Sequence, residues 1–118
     1  MIGNNLDKIE DIKKSGIYSI NCSDCNKVYI GQTKRNILTR FKEHMYHIKC
    51  KNIFKSALAS HWHETGHKFE QSNLKLIKSC YNKKNLNMLE AIYMNKQKEN
   101  LLNFDLTPLD NRMLKLVK

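Results

Sequence analysis

Gly16-Ile17-Tyr18-Ser19-Ile20-Asn21-Cys22-Ser23-Asp24-Cys25-Asn26-Lys27-Val28-Tyr29-Ile30-Gly31-Gln32-Thr33 is the stretch from which the fold can be read. Two short segments rich in β-branched and aromatic residues, 16–21 and 27–31, flank a polar loop, the pattern of a β-hairpin. A helical pattern follows at once, with Ile37, Phe41, Met45 and Ile48 recurring on one face. Arg40, His44 and His47 recur at i, i+4 and i+7 and are expected on a different face. Two tyrosines on paired strands, then an arginine and a histidine one turn apart, make a compact polar group suited to holding a phosphate.

Outward from this core, Leu6, Ile9 and Ile12 suggest a short N-terminal helix or a loose lead-in. Ile17, Ile20, Val28 and Ile30 give the hairpin enough apolar surface to seat one face on a core. A helix is expected over residues 56–65, with Leu58 and Trp62 inward and Gly66 as its stop. Residues 74–78 read as a further strand, approached by 68–73. The polar turn 82–85 leads into a second strong helix over 86–98, with Leu86, Leu89, Ile92 and Tyr93 inward. After residue 104 come Pro108 and a short amphipathic pattern, but no motif.

The hairpin loop carries unusual chemistry. Cys22 and Cys25, separated by two residues, can grip one Zn²⁺, which then needs two more ligands. His61 and His67 are the best candidates, and His63 competes for the role. The other reading of the pair is a redox couple or two unrelated thiols. Such a metal would fasten the hairpin tip to the second helix, a staple useful in a domain with a limited core. Cys50 and Cys80 have no matching partners and read as buried small residues. Glu90 lies at the margin of its helix's apolar stripe. A carboxylate there either covers core with its stem or binds a cation.

A chain of 118 residues makes one domain. No apolar run approaches the roughly 20 residues of a membrane span, and the opening residues lack the apolar core of a signal peptide, so an intracellular setting is expected. Four cysteines there suggest metal binding or free thiols rather than disulfides. The net charge of +10 suits a polyanion, because each phosphate neutralised by lysine or arginine releases condensed counterions. A genome biased toward lysine and asparagine would produce the same charge without a nucleic-acid partner.

The triplets Gly16-Ile17-Tyr18 and Tyr29-Ile30-Gly31, with Arg40 and His44 downstream, resemble the GIY-YIG nuclease family. Cys22/Cys25 within the hairpin, Ser56-Ala57-Leu58-Ala59-Ser60-His61 and Thr65-Gly66-His67 resemble more particularly the endonuclease of Penelope-like retroelements. The resemblance implies a small α/β (α+β) domain over residues 15–103, between a lead-in (1–14) and a tail (104–118). A central, mostly antiparallel three-stranded sheet would start with the hairpin and be flanked by helices, with a zinc-binding insertion in the hairpin. It also implies a DNA endonuclease with Tyr18, Tyr29, Arg40, His44 and Glu90 as catalytic residues, and one of the two tyrosines as the base, Tyr18 being preferred. Glu90 would hold Mg²⁺ or Mn²⁺, and Cys22, Cys25, His61 and His67 a structural Zn²⁺. Gly31, Gln32, Lys34, Arg35 and Asn103 are expected at the substrate. In Penelope-like elements the domain is joined to a reverse transcriptase and acts in the nucleus; with no polymerase in this sequence, the chain reads as an isolated domain, a fragment or a stand-alone remnant.

Overall fold

β1 (Gly16–Asn21) and β2 (Val28–Thr33) pair antiparallel, with Gly16 opposite Thr33, Tyr18 opposite Gly31 and Asn21 opposite Val28. A computed structural model of the chain describes residues 11–102. Leu6, Ile9, Asn103 and the tail 104–118 therefore lie outside the described residues. β3 (Leu74–Ser79) pairs antiparallel with the other edge of β1, giving a three-stranded sheet in the order β2-β1-β3. The fold is the small α+β domain that the resemblance implies.

Alternation along the strands divides the core into two layers. Tyr18, Ile20 and Leu74 point to one face, where Ile37, Phe41 and Ile48 of α1 (Ile37–Lys49) and Ala57 and Leu58 of α2 (Ala57–Thr65) cover them. Ile17, Val28 and Ile30 point to the other, under Leu86 of α3 (Lys83–Lys96) and Leu101. β1 is therefore covered on both sides, and its first five residues are all buried.

The helices start where side chains can supply the missing acceptors for their first N–H groups. Asn36 accepts from Thr39 N, Ser56 from Ala59 N, and Asn82 from Lys84 N and Asn85 N. The Asn82 cap starts α3 at Lys83, three residues before the apolar pattern begins, so the expected turn 82–85 is the helix's first turn. Gly66, with φ +80°, ends α2 as expected, taking a left-handed conformation that other residues adopt at a cost.

Three expectations are corrected. Cys50 is exposed and Cys80 half-buried rather than both buried, since each lies just outside an element. Ile92 is 44% exposed, because Leu86, Leu89 and Tyr93 already complete the inward stripe of α3. His44 does not share a separate polar face. It is only 1% exposed and is sealed in beside Phe41 and Ile48.

Candidate active site and metal centre

Tyr18 lies fully buried on the central strand, and its ring crosses the sheet over Gly31 on β2. A Cβ at Gly31 would lie 2.5 Å from the Tyr18 hydroxyl oxygen and 2.8 Å from Cε2 of Tyr29. Glycine at this position is thus what lets the two phenols converge, with ring centroids 6.1 Å apart. This close approach accounts for Gly31 without any contact to substrate. His44 closes the group from α1. Its ring sits edge-on to Tyr29 at 4.9 Å between centroids, and its Nε2 is 3.1 Å from Tyr18 Oη. On the far side its Nδ1 is 2.9 Å from Ser56 Oγ.

Burial lowers the His44 pKa to about 3, and the Arg40 charge pushes the same way, so the imidazole is neutral at physiological pH. Burial also raises the Tyr18 phenol well above its ordinary value, with Tyr29 adding to the effect. Tyr29 is raised too, first by burial, but Arg40 opposes that shift. Tyr18 is completely covered and Tyr29 only partly, so of the two phenols Tyr29 is the one that reaches the surface.

Arg40 projects from the first turn of α1 and is anchored by Glu43, one turn on, through a 2.8 Å Nη1–Oε1 bond. Arg35 grips the same carboxylate with two bonds, at 2.6 and 2.9 Å. Hydrogen bonds from Arg35 first, then Arg40, hold the Glu43 pKa at about 2. Gln32, Thr33, Lys34, Arg35, Arg40 and Lys83 line an open cavity of about 260 Å³ beside this clamp. Four of its six lining side chains are cations, which suits a phosphate backbone. Arg35 and Lys34 therefore stand where substrate contacts are expected, although Arg35 is committed to Glu43.

Glu90 approaches from α3 at the β2 edge. Its Oε1 accepts a 2.9 Å hydrogen bond from Gln32 Nε2, which also donates to Asn87 Oδ1 at 2.8 Å. Gln32, expected at the substrate, holds the carboxylate through this bond. Burial raises the Glu90 pKa, with the Gln32 hydrogen bond opposing it. The Glu90 charge in turn raises Tyr29, so carboxylate and phenol share one electrostatic neighbourhood. A half-buried carboxylate with one amide partner among the described residues suits a hard divalent cation, which would relieve its desolvation.

Cys22, Cys25, His61 and His67 form a second cluster, their ligand atoms all within 4.8 Å of one another, that could hold a metal ion. Cys25 Sγ lies 3.5 Å from His61 Nε2, which lies 3.2 Å from His67 Nδ1. A tetrahedron with Zn–S of about 2.3 Å and Zn–N of about 2.0 Å has S–N and N–N edges of roughly 3.5 and 3.3 Å. The donor set fits such an ion. Asp24 N–H donates to Cys22 Sγ at 3.3 Å, as a backbone amide supports a metal-bound thiolate. His63 is outside the group, its Nε2 being 2.7 Å from the Ile48 carbonyl.

Three contributors were not legible as such. Glu43 stands at i+3 from Arg40, a spacing that signals pairing but not a second arginine eight residues upstream. Asn87 gave no signal. Ser56 is a readable N-cap, but its approach to His44 depends on how α1 and α2 pack.

Paired-strand phenols, a helix arginine, a carboxylate at the sheet edge and a basic cavity together define a small phosphate-handling nuclease domain. The model of the GIY-YIG catalytic domain matches residues 14–103, and the chain belongs to that family. Searches of curated proteins and of solved structures return no match.

Proposed function

We propose that the chain is a metal-dependent DNA endonuclease of retroelement type that nicks one strand per site. The observation that carries this reading is the convergence of Arg40 and Glu90 on Tyr29, whose phenol feels the charge of both across the β2 edge. A module that only bound DNA would have no use for a half-buried Glu90 held by Gln32.

Glu90 would hold Mg²⁺ or Mn²⁺, which when bound supplies charge neutralisation at the phosphorus and leaving oxygens. Arg40, oriented by Glu43, presents its planar fork to a non-bridging oxygen of the scissile phosphate. Tyr29 in its phenolate form takes a proton from water as the water oxygen bonds to phosphorus and the bond to one bridging sugar oxygen breaks. Arg40 favours that phenolate. The buried Tyr18 is better suited to orienting Tyr29 than to meeting water, which moves the base from the expected Tyr18 to Tyr29. The Cys22/Cys25/His61/His67 cluster would hold Zn²⁺ as a structural ion. The motif around Ser56–His61 supports a Penelope-like origin, with a reverse transcriptase as covalent partner and a nuclear setting.

Supercoiled plasmid with Mg²⁺ tests the reading. The wild type is expected to give open circles, while Glu90→Ala and Arg40→Ala bind DNA but lose nicking by at least about 100-fold. Equal nicking by Glu90→Ala would overturn the cation assignment.

A further inference from the structure

We infer that Ser56 sets the tautomer of His44, holding it as an Nε2–H donor to Tyr18 Oη, so that the Tyr18 proton is turned outward toward Tyr29. The inference rests on the nuclease reading only for its consequence in catalysis. The assignment itself follows from hydrogen-bond arithmetic in a sealed pocket.

A serine hydroxyl has one proton and two lone pairs. Ser56 Oγ spends one lone pair on Ala59 N–H at 3.4 Å, as the cap of α2. It lies 2.9 Å from His44 Nδ1 and is 2% exposed. If Nδ1 carried the imidazole proton, Ser56 would accept twice and its own proton would need another acceptor. Among the described residues, Ser56 Oγ has no hydrogen-bond partner besides Ala59 N and His44 Nδ1. A buried donor left unmade is costly. In the opposite arrangement Ser56 O–H donates to Nδ1, and every group is satisfied. His44, facing Arg40, His47 and Glu43, is neutral and so carries a single ring proton. That proton then sits on Nε2, 3.1 Å from Tyr18 Oη.

The consequence is directional. Tyr18 Oη receives a hydrogen bond from His44 and cannot give its proton back to a nitrogen that already carries one. Its own O–H turns to the Tyr29 side, where hydrogen bonding from Tyr18 favours the Tyr29 phenolate. His44 is therefore a fixed donor and not the acceptor of a phenol proton. Ser56 is a positioning residue, acting through His44 and Tyr18.

Long-range ¹H–¹⁵N correlation on labelled protein reads the tautomer without any need for activity. His44 is expected as the Nε2–H form in the wild type and in Ser56→Thr. Ser56→Gly keeps most of the capping, since glycine is itself among the residues favoured at helix N-caps. It is expected to give mixed tautomers and to slow nicking on the order of 10-fold at unchanged DNA affinity. A wild-type spectrum with Nδ1 protonated and Nε2 bare overturns the inference, whatever the nicking rate. Nε2–H in a wild type that fails to nick would leave the assignment standing and remove the nuclease reading instead. Ser56→Gly with an unaltered tautomer would remove Ser56 from its role.

Discussion

Gly31 shows how a single residue can be required for what it leaves out. Two phenols occupy the space over it, so Gly31→Ala places a methyl group 2.5 Å from the Tyr18 hydroxyl. The variant is expected to lose about 1–3 kcal/mol of stability by overpacking, read as a lower urea midpoint, and to lose nicking more than DNA affinity. His44 makes a second prediction, in pH. Its folded pKa of about 3 lies below the ordinary 6.5, so between these values the unfolded chain binds a proton that the folded chain refuses. Stability therefore rises with pH through this window and is lost as pH falls from 6.5 toward 3, by up to about 5 kcal/mol. Glu43 adds in the same direction below its ordinary pKa of 4.5, but weakly, because its side chain is 35% exposed. Urea midpoints measured from pH 7 to pH 4 check this. The slope should flatten in His44→Gln, and an equal slope in both proteins would place the titrating group elsewhere. Tyr18, Tyr29 and Arg40 were legible as one polar group from spacing, whereas Glu90 stayed open between core cover and cation ligand until the resemblance was added. The inward burial of His44 was not, because helical periodicity places it beside the apolar stripe without saying how far α2 closes over it.

Secondary-structure elements meet at the Cys/His cluster. The hairpin loop supplies Cys22 and Cys25, α2 supplies His61, and the chain just past Gly66 supplies His67. Ser23 N–H donates to the Lys68 carbonyl at 3.0 Å and Lys68 N–H to Asp24 Oδ2 at 2.9 Å, so protein contacts already draw the two segments together. A bound ion would add a cross-link between residues about forty positions apart. Elemental analysis is expected to find about one zinc per chain, absent in Cys22→Ser/Cys25→Ser. Loss of a ligand held at 100 times its dissociation constant costs about 2.7 kcal/mol, and each kcal/mol shifts the melting midpoint by roughly 4–8 °C in a domain of this size. The double variant should therefore melt at least about 10 °C lower, and chelation of the wild type should reproduce the shift. Unchanged zinc in the variant would put the ligands elsewhere. The ligand set was readable from the spacing and the resemblance together. The exclusion of His63 was not, since it depends on the Ile48 carbonyl, fifteen residues away, taking up that ring.

At the scale of the molecule, the charge of +10 is not spread evenly in function. Lys34, Arg35, Arg40 and Lys83 gather around one cavity that Gln32, the partner of Glu90, also lines, although Lys83 is remote from the others in sequence. Composition can supply the cations but not this gathering, which follows from α3 starting at Lys83 beside the end of β2. If the cut strand runs over the cavity, each lysine there neutralises about one phosphate and contributes about 0.9 to the slope of log affinity against log salt. Lys34→Ala/Lys83→Ala is then expected to bind DNA more weakly at low salt and to flatten that slope by roughly 1.8. A control pair away from the cavity lining, Lys49→Ala/Lys51→Ala, removes the same net charge from the exposed C-terminal end of α1 and the turn after it and should leave the slope nearly unaltered. Fluorescence anisotropy with a short duplex, titrated at several salt concentrations, distinguishes the two pairs. Equal flattening in both would mean that charge acts as a diffuse field, and the cavity would lose its claim to the scissile strand. Flattening in the first pair alone would fix the path of the backbone past Arg40, leaving Tyr29 and Glu90 beside the bond to be broken.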